Sequence, residues 1–426
     1  MQFRDLLFAN ELKKLNEPVN PYLDASRICM EDLGRAWFSP AKSHEGFALA
    51  GNVLATRRGM ALTLGCNIES IGDTLLRGME DPQPCEMVER PSGYREVDVD
   101  SLPIPTYFKS DGGPYITSGI FHAGHDGKFN LSFHRMMYTG SGKFAVRIVQ
   151  RHLQALLRES ETSGEKLYAT VSIGADPAAL IAGSITLPYG QDELEVASSL
   201  TRRAGEGPLR TFSPIDDEEG PRTPVGTEIV LYGSFNGERT QEGPFVDVTS
   251  TMDLSGMQPG EPVFKVDRVL AREGAIMHVL LPGGYEHYML MGIPKEPSIM
   301  QSVKKVVPRV KAVRLTEGGC CWFHGIVSIT QQKEGDSKNA IMAAFAGHPS
   351  MKRVIVVDDD IDPFDDRQVE WALATRFQAH KDIVMVHGAR GSTLDPSADP
   401  GSGTTSKLGL DACMPIDDRK RFLRVA

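Results

Sequence analysis

Strand and helix patterns alternate through the C-terminal third of the chain, and this alternation constrains the fold more than any other feature. The segments are, in order, GGCCWFHGIVSIT, a helix pattern in NAIMAAFAGHP, KRVIVVDDDID, a helix pattern in DDRQVEWALATRFQ, and KDIVMVHG. Short apolar runs separated by helices are typical of α/β units, in which helices connect parallel strands. We therefore predict a C-terminal α/β domain with a partly parallel sheet over residues 316–426.

The preceding part of the chain has a different pattern. RDLLFANELKKLNE predicts an amphipathic helix that ends at Pro18, and KFNLSFHRMMYTGSGKFAVRIV predicts a β-hairpin around TGSG. Alternating strands in GTEIVLYGSF and EPVFKVDRVLAREGAIMHVLLP predict a small barrel or split sheet. We expect an α/β (α+β) chain with a first domain over residues 1–297 and a linker helix over 298–315.

Charge and motifs exclude several classes of protein. The net charge of −10 argues against a nucleic-acid partner, and no window is long and apolar enough to span a bilayer. Six cysteines without a C-x-x-C pair indicate reduced thiols and a cytoplasmic protein. The sequence contains neither a P-loop nor a G-x-S-x-G elbow, and its glycines do not form a Rossmann fingerprint.

Two carboxylates lie close together in QEGPFVDVTS, where Glu242 and Asp247 flank a Gly-Pro-Phe turn. Gly243 and Pro244 exclude a helix, and a kinked turn can direct both acids into one cavity. Neighbouring like charges separate their pKa values, which suits general acid–base catalysis. The alternative is a pair of solvated turn acids.

Two further sets of side chains are candidates for metal binding. Asn130, His152 and Glu193 combine an amide oxygen, an imidazole and a carboxylate, which is a plausible ligand set for Mn²⁺ or Mg²⁺. The alternative for His152 is a hydrogen-bonded structural residue at a helix start. The acidic run from Asp358 to Asp362 could also bind Mg²⁺, but we interpret it as a helix cap and a solvated turn.

The chain resembles the UbiD-like decarboxylases, a family that uses prenylated flavin mononucleotide (prenylated FMN). Seven segments carry the resemblance, in the order expected of the family: NLSFHR, QRH, DELEVA, EGPFVDVT, FKVDRV, VVDDDIDPFDDRQVEWALATR and SKLGLDA. The resemblance extends from about residue 100 to the C-terminus and is looser before it. It implies a cofactor domain built around a flavin-reductase-like split β-barrel, a connecting helix and a C-terminal oligomerisation domain, with a tail loop that returns to the cofactor site.

The resemblance also implies roles for individual residues. Asn130, His152 and Glu193 are similar to the ligands of a divalent cation, Mn²⁺ or Mg²⁺, that bridges the cofactor phosphate, and family members often hold K⁺ nearby. The implied cofactor-binding residues are Asn130, Ser132, Phe133, His134, Arg135, Arg151, His152, Glu193 and Lys407. Arg135, Glu242 and Asp247 match the family's catalytic arginine and its two acids.

The implied reaction is the reversible, non-oxidative decarboxylation of an α,β-unsaturated or aromatic acid through a covalent adduct with prenylated FMN. We assign proton donation first to Asp247, with Glu242 as its partner. The chain is short for the family, which favours trans-anhydromevalonate 5-phosphate as the substrate and a role in isoprenoid biosynthesis. An aromatic acid such as a hydroxybenzoate is the alternative substrate, and a split-barrel flavin oxidoreductase is the alternative class of protein. We further expect a flavin prenyltransferase to supply the cofactor, and a homodimer or larger homo-oligomer.

Overall fold

The computed structural model describes residues 1–9, 11–215, 217 and 219–422. It divides into two compact units, with the boundary between Leu290 and Met291. The boundary therefore falls inside a helix, a few residues before the predicted end of the first domain. No helix in the described part of the chain is long and apolar enough to cross a membrane.

The first unit is built on antiparallel strands with helices inserted between them. Its strands are β1 (Lys13–Lys14), β2 (Trp37–Pro40), β3 (Phe47–Gly51), β4 (Glu86–Met87), β5 (Tyr94–Glu96), β6 (Tyr115–Ile116), β7 (Ile120–His125), β8 (Lys128–Phe133), β9 (Met136–Gly140), β10 (Lys143–Val146), β11 (Leu167–Ile173), β12 (Arg210–Phe212), β13 (Thr223–Pro224), β14 (Ile229–Thr240), β15 (Phe245–Val246), β16 (Met252–Asp253), β17 (Glu261–Arg272) and β18 (Ala275–Val279). Its helices are α1 (Phe3–Ala9), α2 (Asp24–Glu31), α3 (Arg57–Leu64), α4 (Ile71–Glu80), α5 (His152–Ser163), α6 (Pro177–Ala182), α7 (Glu193–Arg203) and α8 (Tyr285–Gly292), which contains the boundary. Single 3-10 turns lie at Ile68–Ser70, Val99–Ser101 and Ser255–Met257.

A nine-stranded sheet forms the centre of the first unit. Its order is β6-β9-β10-β17-β14-β11-β7-β8, with β5 paired to β17. The rings of Phe121, Phe235 and Phe264 pack together with centroids 5.1–6.1 Å apart, and burial of each ring stabilises the fold by roughly 2–3 kcal/mol. Among the described residues β6 and β8 do not pair with each other, so the sheet is open and no closed barrel is present.

Local sequence predicted some elements of this unit correctly and one incorrectly. The hairpin around TGSG is confirmed, since β9 and β10 pair across a turn in which Gly140, Ser141 and Gly142 all have positive φ. The N-terminal helix ends at Ala9, and the two lysines predicted to continue it form β1 instead. This strand pairs with β2, and backbone hydrogen bonds across the sheet outweigh the helical preference of the segment.

The second unit contains the predicted α/β alternation. Its strands are β19 (Val310–Leu315), β20 (His324–Ile329), β21 (Arg353–Asp358), β22 (Ile383–Arg390) and β23 (Thr404–Ala412), and its helices are α9 (Glu296–Lys304), α10 (Asp336–Gly347), α11 (Asp366–Arg376), α12 (Ala379–Asp382) and α13 (Arg419–Phe422). Single 3-10 turns lie at Ile293–Lys295, Glu317–Gly319 and Ile416–Asp418. The sheet order is β19-β20-β21-β23-β22. The β20–β21 and β21–β23 pairs are parallel and the outer pairs are antiparallel, which confirms the partly parallel sheet.

The predicted linker helix over residues 298–315 is wrong beyond its first half. The helix is α9, which ends at Lys304, and residues 310–315 form strand β19 at the edge of the second sheet. Pro308 cannot continue a helix, and the valines on either side of it favour extended backbone. The segment therefore belongs to the second unit's own sheet.

Two acids of the run from Asp358 to Asp362 pair with arginines. Asp358 lies within 3.2 Å of Arg419 and 3.6 Å of Arg376, and Asp360 accepts hydrogen bonds from Arg376 at 2.6 and 2.9 Å. Helix α11 is capped instead by Asp365, whose side chain accepts from the Arg367 amide. The interpretation of the run as the helix cap was therefore wrong, whereas the predicted turn is present, since the exposed Asp362 accepts from the Phe364 amide at 2.9 Å.

Candidate active site

Arg135 lies where the chain passes from β8 to β9, and its guanidinium is held mainly by Glu242. Nε donates to Oε1 of Glu242 at 2.7 Å, and Nη2 donates to Oε2 at 2.9 Å. This two-point geometry is the strongest arrangement available to an arginine and a carboxylate. The guanidinium carbon also lies 4.5 Å from the centre of the Phe245 ring, a distance at which a cation is attracted to the ring face.

Two aspartates complete the shell around Arg135. Nη1 donates to Oδ2 of Asp247 at 2.5 Å, and Nη2 also donates to Oδ2 of Asp253 at 2.8 Å. The Glu242 side chain is 0% exposed, whereas those of Asp247 and Asp253 are 18% and 25% exposed. The structure thus brings together the three predicted catalytic side chains and adds one acid that sequence reasoning missed.

Burial and charge shift the titration of this cluster. Burial raises the pKa of Glu242, against the opposing effect of the Arg135 guanidinium. Burial also disfavours the charged form of Arg135, yet the hydrogen bonds and negative charges of its three acids raise the pKa of Arg135. Arg135 is therefore a permanent cation, surrounded by acids whose environments differ.

Close backbone packing fixes the turn that holds Glu242. A Cβ at Gly243 would lie 2.4 Å from the Cα of Gly112, and a Cβ at Gly256 would lie 2.4 Å from Oε2 of Glu242. The amide of Gly112 also donates to the carbonyl of Pro244 at 2.8 Å. Glycine is thus needed at both positions. A side chain at Gly243 would push away the segment around Gly112, and a side chain at Gly256 would displace the carboxylate of Glu242.

A row of hydrogen-bonded polar side chains lies along one face of β8. Asn130, Ser132 and His134 alternate in sequence and so point to the same side. The Ser132 hydroxyl lies 2.7 Å from Oδ1 of Asn130 and 2.9 Å from Nε2 of His134. Nδ1 of His134 lies 3.2 Å from the carbonyl of Arg147.

Glu193 lies at the Asn130 end of this row. Its carboxylate is 1% exposed and accepts from the Leu131 amide at 2.7 Å and from the Asn130 amide nitrogen at 3.2 and 3.3 Å. Nδ1 of His152 lies 4.0 Å away. Burial raises the pKa of Glu193 to about 8, and burial also lowers the pKa of His152.

The structure therefore brings the three predicted metal ligands together, but the Asn130 amide has the wrong orientation for a metal ligand. Asn130 presents its nitrogen to Glu193, whereas a cation needs the amide oxygen. In the described ranges there is no group of three or more His, Cys, Asp or Glu side chains that could hold a metal ion, and the predicted set contains only two side chains of these types. The metal role of the three residues stays a prediction.

The remaining predicted cofactor residues fall into two places. Phe133 is half-buried at the end of β8, and the exposed Arg151 immediately precedes α5. Lys407 lies in the second unit on β23, where its ammonium group donates to the carbonyls of Pro349 and Met351. The ammonium group of Lys407 therefore has hydrogen-bond partners within its own unit. Its contact with a cofactor phosphate stays a prediction.

His287 is a second residue that sequence reasoning missed. It lies in α8 with Nδ1 accepting from the Gly283 amide at 3.2 Å. Burial lowers the pKa of His287, while the charges of Asp247 and Arg135 act on it in opposite directions. No local sequence pattern marks this histidine, because its neighbours in the cluster are more than 30 residues away along the chain.

His134 is neutral at physiological pH, since burial lowers its pKa to about 4 from an ordinary value of 6.5. The unfolded chain therefore binds a proton more tightly than the folded one, and native stability is lost as pH falls from about 6.5 towards 4. Wild type should lose this contribution between pH 7 and pH 5, whereas His134→Gln has no imidazole to protonate. We therefore expect the free energy of unfolding of His134→Gln, relative to that of wild type, to be roughly 2 kcal/mol higher at pH 5 than at pH 7. Urea unfolding of both proteins at the two pH values measures this, and a constant difference would contradict it.

Comparison with known proteins identifies the family of this chain. The chain matches in series the N-terminal (residues 4–79), Rift-related (78–285) and C-terminal (288–412) domains of the family described as UbiD, 3-octaprenyl-4-hydroxybenzoate carboxy-lyase. A relative from Methanothermobacter thermautotrophicus, named anhydromevalonate phosphate decarboxylase, is 46% identical over 87% of this chain and 86% of its own.

Solved structures show the same fold. The UbiD-class enzyme HmfF from Pelotomaculum thermopropionicum in complex with FMN is 33% identical, covers 100% of this chain and 97% of its own, and has a TM-score of 0.91. An evolved dimeric form of HmfF in complex with prenylated FMN is 30% identical, with a TM-score of 0.88 over 100% of this chain and 96% of its own.

Fold, relatives and family models together define a carboxy-lyase. The chain belongs to the UbiD family of decarboxylases. The predicted resemblance is thereby confirmed, and the alternative of a flavin oxidoreductase is set aside.

Proposed function

We propose that this protein decarboxylates anhydromevalonate phosphate, an α,β-unsaturated acid, with prenylated FMN as its cofactor. The 46%-identical relative carries the name of that activity, and the structurally similar HmfF was solved with FMN and prenylated FMN. The observation that carries the proposal is the set of acids around Arg135, with Glu242 and Asp247 bound at 2.5–2.9 Å.

Each of these three side chains has a distinct task. Glu242 is fully buried and fixes the plane of the guanidinium, so it orients Arg135 for a second carboxylate. Arg135 binds the carboxylate of the substrate and positions the adjacent carbon. Asp247, which is partly exposed, delivers a proton to that carbon once carbon dioxide has left.

The cofactor supplies an electron sink for the electron pair released with carbon dioxide. Arg151 and the backbone amides of the first turn of α5 would hold the cofactor phosphate, because a cation and a helix N-terminus both favour an anion. Ser132, Phe133 and His134 would hold the flavin. We keep the flavin-reductase-like split barrel as part of this proposal.

Counting protons in the polar row supports Glu193, Asn130 and His152 as the residues that would hold a metal ion. A neutral His134 that donates through Nδ1 to a carbonyl must accept through Nε2, so the Ser132 proton is needed there and cannot also serve Asn130. Turning the Asn130 amide by half a turn lets its nitrogen donate to Ser132 and presents its oxygen beside Glu193. Asn130, Glu193 and His152 would then hold Mn²⁺ or Mg²⁺, with K⁺ bound nearby.

The proposal includes partners. A flavin prenyltransferase supplies the cofactor, and the second unit serves homo-oligomerisation, as the predicted dimer or larger assembly requires. With anhydromevalonate phosphate as substrate, the enzyme belongs to isoprenoid biosynthesis.

The direct test is turnover by protein produced together with a flavin prenyltransferase. We expect release of carbon dioxide and formation of an alkenyl phosphate one carbon shorter than anhydromevalonate phosphate, with little product from 4-hydroxybenzoate. Turnover of 4-hydroxybenzoate but not of anhydromevalonate phosphate would overturn the proposed substrate.

A further inference from the structure

Asp253 was not among the predicted site residues, yet it shares a guanidinium nitrogen with Glu242. Its Oδ2 accepts from Nη2 of Arg135 at 2.8 Å, and its Oδ1 accepts from the Ser255 amide at 2.9 Å. Asp253 belongs to the two-stranded hairpin of β15 and β16, in which it pairs with Phe245, the ring beneath Arg135. The hairpin therefore brings an additional carboxylate to the same cation.

Donor counting shows that Arg135 has little capacity left for substrate. A guanidinium offers five N–H groups. Among the described residues, Glu242 takes one from Nε and one from Nη2, Asp253 takes the other from Nη2, and Asp247 takes one from Nη1. One N–H remains, and a carboxylate bound at two points needs two.

Charge leads to the same conclusion. Three acidic side chains already surround one guanidinium, and a substrate carboxylate would bring a fourth acidic group to the same cation. Like charges at this separation oppose binding. One acid must therefore leave Arg135 when the substrate carboxylate arrives.

Asp253 is the acid that can leave. Glu242 is fully buried and makes two hydrogen bonds to Arg135, whereas Asp253 makes one and is the most exposed of the three at 25%. Asp247 is needed beside the reacting carbon as the proton donor of the proposed function. Release of Asp253 frees a second N–H, on Nη2, in addition to the one left on Nη1.

We propose that Asp253 is an internal competitor for the substrate carboxylate: it occupies Arg135 in the free enzyme and is displaced on binding. This inference rests on the proposed role of Arg135 as carboxylate ligand. Asp253 is a positioning residue, since it keeps Arg135 in place between turnovers. The apparent affinity for the substrate carboxylate falls as the fraction of protein in which Asp253 occupies Arg135 rises.

Binding of crotonate, a small α,β-unsaturated carboxylate without phosphate, tests the proposal in holoenzyme by isothermal titration calorimetry. Asp253→Asn removes the charge but keeps an oxygen for the Ser255 amide, so we expect crotonate to bind roughly fivefold or more tightly than to wild type. Asp253→Glu retains a competing carboxylate and is expected to bind no more tightly than wild type. Asp267→Asn, an equal change of charge at an exposed position on β17, is the matched control and is expected to leave the affinity unchanged.

Equal or weaker binding of crotonate to Asp253→Asn, or no detectable binding to any of these proteins, would overturn the proposal. If the asparagine variant does not fold, Asp253→Ala is measured in its place with the same two outcomes. Because crotonate carries no phosphate and binding needs no turnover, failure of the enzyme to convert anhydromevalonate phosphate would refute the proposed substrate without deciding this test.

Discussion

Replacing Asp247 with asparagine is expected to lower kcat by about 10²–10⁴-fold while cofactor content stays at the wild-type level. Asparagine has a single side-chain oxygen, which can accept from Nη1 of Arg135 as Oδ2 of Asp247 does, while its nitrogen takes the place of Oδ1, the oxygen that accepts from the Val248 amide at 2.6 Å. The substitution removes the proton that the carboxyl group can deliver, together with the hydrogen bond from the Val248 amide. Carbon dioxide release under saturating substrate, with the flavin spectrum as a measure of cofactor, gives both quantities.

Asp267→Asn is the control for this variant, because it makes the same chemical change on an exposed face of β17. It is expected to retain wild-type kcat. If Asp247→Asn kept more than about a tenth of wild-type kcat, the assignment of Asp247 as proton donor would be wrong.

Glu193→Gln is expected to have the opposite signature, with loss of metal and cofactor before any effect on chemistry can be seen. Glutamine can still accept from the Leu131 amide, so the fold at the start of α7 is preserved. It cannot supply the negative charge that a divalent cation needs, and we expect metal affinity to fall at least about 100-fold. Elemental analysis for manganese and the flavin content after gel filtration measure the loss.

Glu195→Gln is the matched control, since Glu195 lies two residues further along α7 with an exposed side chain. It is expected to retain metal and flavin. Wild-type manganese and flavin content in Glu193→Gln would contradict the proposed ligand set.

The elements that sequence predicted best are those with local causes. The strands and helices of the second unit follow from apolar runs and amphipathic periodicity, and the hairpin between β9 and β10 follows from TGSG. Of the two errors, the linker helix has a local origin, because Pro308 cannot continue a helix, whereas β1 has a distant one, because its lysines pair with a strand more than 20 residues away. Pairing between distant segments outweighs local preference in such places.

The active site is a non-local arrangement, and residue patterns alone did not locate it. Arg135 and Glu242 are 107 residues apart, and only the resemblance to a family paired them. Asp253 follows Asp247 by six residues in the same hairpin, but its two-residue strand carries no periodicity that would show where the side chain points. His287 is likewise placed by packing of α8.

Exchange of solvent deuterium into the alkenyl phosphate product tests the central claim, that the acids around Arg135 carry out the proton transfer. Wild-type holoenzyme incubated with product in D₂O is expected to place deuterium at the carbon that bore the carboxyl group. Asp247→Asn with full cofactor is expected to exchange at least about 100-fold more slowly. Exchange at the wild-type rate in that variant would contradict the account.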